Sequence, residues 1–169
     1  GTVPAQQPSW GQGQPRVFPV FYEWSFRTGE LADFEVLPGV PEAIAAAVEA
    51  GWSVVVITNQ SGIDLGLYDH AAVQLMHTAL NDILRSHRVA LTDIYYCPHH
   101  PSHGRCLCRK PGGLLLQRAA ARYGIDLSRS VMIGDRQRDV EAAAAVGANG
   151  ILVSSNTSLM DTLRANALV

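Results

Sequence analysis

Five short, mostly apolar runs, Val17 to Tyr22, Trp52 to Ile57, Leu91 to Tyr96, Ser130 to Ile133 and Ile151 to Val153, are separated by segments of helical character. Runs of this length, rich in Val and Ile, suit strands covered on both faces. The intervening segments supply the covers. Glu42 to Ala50 is alanine-rich, opened by Pro41 and closed by Gly51, which matches the preference for proline in a first helical turn and glycine after the last. Asp69 caps a longer segment reaching about His87, with Val73, Met76, Leu80 and Ile83 or Leu84 on one face. Gly113 to Tyr123 stops at Gly124, Arg138 to Val146 stops at Gly147, and Ser158 to Asn166 closes the series. Such alternation specifies an α/β, Rossmann-like fold: a parallel sheet with helices on both faces and functional groups gathered at the carboxyl ends of the strands. Pro19 lacks an amide donor, so the first run is expected at a sheet edge or a bulge.

A chain of 169 residues, 47% apolar and of formal charge -2, has enough interior for one domain and carries no basic footprint for nucleic acid. The longest apolar runs, such as Val54 to Ile57 and Leu114 to Leu116, are too short to cross a bilayer. Residues 1–16 hold Gly, Pro and Gln without a period, so a mobile tail is expected ahead of a domain at 17–169. Trp10 is the one tail residue suited to docking on the body or on a partner protein. With no secretory signal in view, a cytoplasmic protein is expected.

All three cysteines and three of the six histidines fall in the stretch Cys97-Pro-His99-His100-Pro-Ser-His103-Gly-Arg105-Cys106-Leu-Cys108-Arg109-Lys110-Pro111. Two close pairs, Cys97 with His99 and Cys106 with Cys108, can meet the four tetrahedral positions of a zinc ion, with His100 or His103 in reserve. Three thiolates and an imidazole leave no open position, so the metal is expected to be structural. Three cysteines and a tight Cys-x-Cys leave no sensible disulfide pairing.

Cys-Pro-His-His-Pro followed by Cys-x-Cys-Arg-Lys-Pro resembles the zinc loop of haloacid-dehalogenase (HAD) phosphatases that act on heptose 1,7-bisphosphate, with the related histidinol-phosphate phosphatases. The likeness extends to Thr58-Asn59-Gln60-Ser61-Gly62 and to Gly134-Asp135-Arg136-Gln137-Arg138-Asp139. It implies a HAD fold with no large cap, in which Thr58, Asn59, Gln60 and Ser61 bind a phosphoryl group. Arg109 and Lys110 would add fixed positive charge, with Lys110 acting in catalysis. Asp135 would hold magnesium and Asp139 would steady the site from behind. Gly134 permits the sharp exit from its strand, and Arg136 stands where relatives commonly place a substrate-reaching lysine. Without the resemblance, Thr58-Asn59 reads as turn chemistry and Arg109-Lys110 as a solvated basic pair.

One motif departs from the family. Its first strand ends in Asp-x-Asp-Gly-Thr, the first aspartate attacking phosphorus and the second serving as acid and base. Here the sequence is Phe21-Tyr22-Glu23-Trp24-Ser25-Phe26-Arg27, which sets Glu23 at the nucleophile and Ser25 at the acid/base position. A shift by two sets Phe21 and Glu23 there, and neither register keeps the pair. The extra methylene of Glu23 misplaces its carboxylate, which costs ~100-fold, and losing the carboxylic acid costs about 100-fold more. The expectation is a phosphatase relative impaired in phosphoryl transfer, binding a phosphorylated sugar or a partner protein; the alternative is an active magnesium-dependent phosphomonoesterase using Glu23.

Overall fold

The computed structural model describes residues 16–19, 36–155 and 157–169, the first segment as backbone only. The expected tail at 1–16 is corrected at Arg16, which belongs to the first strand, and the rest of it, with Trp10, and the expectations for Glu23 and Ser25 lie outside the described residues. Within them, strands and helices alternate in the order β1 (Arg16–Pro19), α1 (Val40–Glu49), β2 (Trp52–Asn59), α2 (His70–Ser86), β3 (Asp93–Cys97), α3 (Leu114–Tyr123), β4 (Val131–Gly134), α4 (Gln137–Ala144), β5 (Asn149–Leu152) and α5 (Leu159–Ala165).

All ladders are parallel: β2 pairs with β1 and β3, and β4 pairs with β5. The ladders form two sheets, β1-β2-β3 and β4-β5, with β1 lying beside β4 without a described ladder between them. Among the described residues β1 thus ends its hydrogen-bonded sheet, the edge position expected for the first strand. Pro19 lies opposite Val55 in the last described pair of the β1-β2 ladder, and an edge strand tolerates its missing amide.

The two-residue period of the strands divides the core. On one face Trp52 and Val54 of β2, with Val131 and Ile133 of β4, pack against Ile44 and Ala47 of α1, Leu80 and Leu84 of α2, and Leu159 and Leu163 of α5. On the other, Val55 and Ile57 of β2 and Met132 of β4 meet Leu115, Leu116 and Ala119 of α3 and Ala142 and Ala143 of α4. Helices thus cover both faces.

Local chemistry sets the helix ends. Asp69 accepts the Ala72 amide at 2.8 Å to cap α2, and α3 ends on Gly124 in the left-handed region at φ 64°, where glycine carries no Cβ penalty. β2 runs two residues beyond its apolar stretch to include Thr58 and Asn59, and β3 includes Cys97. The first residues of two candidate motifs are thereby strand residues. Among the described residues no helix is long and apolar enough to cross a membrane.

Candidate functional site

The carboxyl ends of β2, β3 and β4 converge on two adjoining clusters. The first grows from Cys97, fully buried at the end of β3. The chain turns out through His99 and a short 3₁₀ turn at Pro101–His103, then returns to Cys106 and Cys108. The Sγ atoms of Cys106 and Cys108 are 2.9 Å apart, and Cys97 lies 3.2 Å from Cys108 and 3.8 Å from Cys106. His99 Nδ1 is 3.0, 3.5 and 3.6 Å from the sulfurs of Cys106, Cys108 and Cys97. Four donor atoms that all touch one another form the corners of a small tetrahedron, and zinc-to-sulfur bonds of ~2.3 Å give such a figure.

The protonation chemistry of the cluster fits a cation. Burial pushes against ionisation of Cys106, yet hydrogen bonds from Cys108 and from backbone amides bring its thiol down to about 7. Burial holds the thiols of Cys97 and Cys108 up, and the neighbouring sulfurs add to the effect at Cys108. Three thiolates cannot share so small a space without a positive ion to offset them. The reserve ligands have other partners. His100 Nδ1 sits 2.6 Å from Ser102 Oγ, and His103 Nδ1 sits 2.9 Å from Asp64 Oδ2.

The second cluster is a small cleft lined by Thr58, Asn59, Lys110, Arg136, Arg138 and Asp139. Asn59 grips the chain at Lys110 from both sides: its Oδ1 accepts the Lys110 amide at 3.1 Å, and its Nδ2 donates to the Lys110 carbonyl at 3.4 Å. Lys110 Nζ donates to the Ile57 carbonyl at 3.2 Å and pairs with Asp139 Oδ1 at 2.6 Å. Asp139 is itself buried and takes the Arg136 amide at 3.1 Å on its other oxygen. Gly134 makes room for this carboxylate, because a Cβ there would stand 2.4 Å from Asp139 Oδ2. The role of Gly134 is thus clearance for Asp139 rather than a special backbone angle.

Asp135, directly after β4, accepts the Ser155 hydroxyl at 3.1 Å and has Arg136 Nε at 3.7 Å, both on Oδ2. Among the described residues its Oδ1 is buried with no hydrogen-bond partner. A buried carboxylate oxygen left bare at a strand end is a fit for a hard cation such as magnesium.

Not every expected residue faces the cleft. Arg109 turns back over the cysteine loop, its guanidinium donating to the His99 carbonyl at 3.0 Å. Gln60 is buried, giving its Nε2 to Thr58 Oγ1 at 3.1 Å and taking the Tyr68 hydroxyl at 2.8 Å. It therefore braces Thr58 from behind. Ser61 is half-buried in the turn that follows. Sequence reasoning passed over Arg138, Tyr68, Ser155 and Asp64. Only Arg138 carried a signal, as a second cation two residues from Arg136 at the start of a helix.

A family model for HAD-hydrolase-like proteins matches residues 107–168. The D-glycero-beta-D-manno-heptose-1,7-bisphosphate 7-phosphatase of Pseudomonas aeruginosa is 43% identical over 125 residues, covering 74% of this chain and 70% of the relative. The same enzyme of Pseudomonas putida is 42% identical, covering 74% and 71%. Among solved structures, the D,D-heptose 1,7-bisphosphate phosphatase of B. bronchiseptica, complexed with magnesium and phosphate, superposes with a TM-score of 0.75 at 32% identity, over 90% of this chain and 86% of that one.

Proposed function

The chain belongs to the HAD-like hydrolases of the D-glycero-β-D-manno-heptose-1,7-bisphosphate 7-phosphatase type, and from that premise we propose that it binds a phosphorylated sugar and hydrolyses it poorly. The observation that carries the binding half is the bare, buried Oδ1 of Asp135 beside a cleft lined by Lys110, Arg136 and Arg138. In this reading Asp135 holds magnesium, which when bound neutralises phosphoryl oxygens. Thr58, Asn59 and the cleft cations orient the phosphoryl group, and Asp139 holds the ammonium of Lys110 in place. Zinc on Cys97, His99, Cys106 and Cys108 fixes the loop that ends at Lys110. Thiols kept reduced for that ion suit a cytoplasmic setting.

The hydrolysis half rests on Glu23-Trp24-Ser25 in place of two aspartates. In that register the sequence offers no aspartate to attack and no second carboxylic acid to protonate the leaving oxygen. The retained trio of Lys110, Asp135 and Asp139 favours a second reading, in which Glu23 still works as a slow nucleophile.

One assay separates the two. The chain, supplied with magnesium, is tested against a panel of sugar phosphates and p-nitrophenyl phosphate, and calorimetry measures binding of inorganic phosphate at millimolar concentrations. Binding with little hydrolysis, and a rise in turnover in Glu23→Asp/Ser25→Asp, is the expected result. Robust magnesium-dependent turnover abolished in Glu23→Ala would establish the second reading, and no phosphate binding would remove both.

A further inference from the structure

The turn after β2 and the outer part of the cysteine loop meet at a contact that neither the metal cluster nor the cleft requires. Asp64 Oδ2 accepts the main-chain amide of His100 at 2.7 Å, and the same oxygen lies 2.9 Å from His103 Nδ1. His103 closes the 3₁₀ turn at Pro101–His103, whose first residue follows His100. Asp64 therefore holds the turn by its backbone at one end and by a side chain at the other.

Two further ties join the same pair of segments. The Gln60 amide donates to the Cys97 carbonyl at 2.7 Å, and Asn59 brackets Lys110. The stretch from Asn59 to Asp64 thus contacts the cysteine loop at its root, at its outer turn and at its exit. The root and exit ties lie beside Cys97 and Cys108, so a metal cluster would reinforce them. The outer turn, residues 100–105, supplies no ligand to the cluster. Among the described residues, and apart from the turn's own bonds, the Asp64 contact is what secures it.

We propose that Asp64 is a positioning residue, a clasp that sets the pose of the cysteine loop, and through it the metal cluster and Lys110, from outside both. The inference builds on the reading of the loop as a zinc site next to a phosphate cleft. The carboxylate is well suited to the task. The His100 amide, and after it His103, hold its carboxyl below the usual carboxylate range, so it remains an acceptor throughout the neutral region. A neutral amide at the same place would keep an oxygen for His100 and lose the charge that His103 meets.

The test uses the purified chain with Asp64→Ala, Asp64→Asn and His103→Gln. Hydrogen exchange at the His100 amide reads the clasp with or without metal: protection in the wild type, loss in Asp64→Ala and partial retention in Asp64→Asn are expected. Zinc release to a chromogenic chelator should be about tenfold faster in Asp64→Ala, with an intermediate rate in the other two variants. Calorimetric binding of inorganic phosphate should weaken in the same order, while the unfolding midpoint of the zinc-loaded protein stays near that of wild type. Unchanged exchange at His100 would sink the proposal outright. Unchanged zinc release and phosphate affinity in a variant that has lost His100 protection would reduce Asp64 to a local loop contact. Wild-type protein that binds neither zinc nor phosphate would instead overturn the functional reading, with the exchange result still deciding whether Asp64 is a clasp.

Discussion

Lys110 Nζ lies 2.6 Å from Asp139 Oδ1, with the lysine side chain 8% and the aspartate side chain 2% exposed. A charge pair so deeply enclosed is strongly coupled, because each partner has surrendered its water. The ammonium is steadied further by the Ile57 carbonyl. This pair joins the end of the cysteine loop to the first turn of α4, so the cleft is assembled only when both are in place.

Removing one partner should therefore cost far more than removing both. Asp139→Ala takes the carboxylate away from a buried ammonium and is expected to destabilise the fold by about 3–5 kcal/mol, whereas Lys110→Met/Asp139→Leu recovers much of that loss. Urea unfolding of the two single variants and the double variant measures the cycle. Phosphate binding should be lost in all three, which separates the stability role from the binding role.

Asp135 gives the opposite sign. Its Oδ1 is buried with no hydrogen-bond partner among the described residues, so in the absence of cation Asp135→Asn should unfold at or above the wild-type temperature, since it removes a desolvated charge that Arg136, at 3.7 Å from Oδ2, offsets only in part. Magnesium should raise the melting temperature of the wild type and leave that of the variant unchanged. Thermal scans with and without magnesium give both answers in one experiment.

The four donors at Cys97, His99, Cys106 and Cys108 lie within 4.8 Å of one another. About one zinc per chain is expected by elemental analysis, and a strong chelator should lower the melting temperature. Cys106→Ala should reproduce the chelator effect in untreated protein and weaken phosphate binding through Lys110. Equal zinc content in that variant and wild type would remove Cys106 from the ligand set.

A pH effect is expected at His77. Burial between α2 and β3 holds its pKa below the ordinary value, with a weaker opposing pull from Asp93, and its ring packs edge-on against Tyr96 at 5.5 Å. The unfolded chain takes up this proton first, at about pH 6.5. Stability should accordingly fall as the pH drops through that value, until the folded histidine also protonates. Urea midpoints between pH 7.5 and 5.5 should fall less steeply in His77→Gln than in wild type.

The alternation of Val-rich runs with alanine-rich segments made the architecture legible, because a buried parallel strand and an amphipathic helix each leave a periodic trace in a short window. Asp69 as a cap, Gly124 as a stop and the Cys/His pairs were legible for the same local reason. What escaped lies in pairings that no spacing encodes. Arg109 adjoins Lys110 in sequence but reaches back to His99, ten residues away. Asp64 meets His100 across 36 residues and Asn59 meets Lys110 across 51. Pro19, by contrast, was a local signal, since a residue without an amide donor suits a sheet edge and β1 ends the β1-β2-β3 sheet. The site was thus read as a set of residue types, while the division between those lining the cleft and those bracing it needed the tertiary contacts.

The division of the ladders also bears on how the chain assembles. β1, β2 and β3 form one hydrogen-bonded sheet, while β4, which lies beside β1 and pairs with β5, begins only at Val131. At synthesis rates of about 5–20 residues per second, the β1 flank waits roughly 6–20 s for that neighbour. During that interval the β1-β2-β3 half exposes the β1 edge that β4 later comes to lie beside. Folding in the cell is then paced by the arrival of the second half, and a chaperone that shields open strand edges should raise the yield of soluble protein.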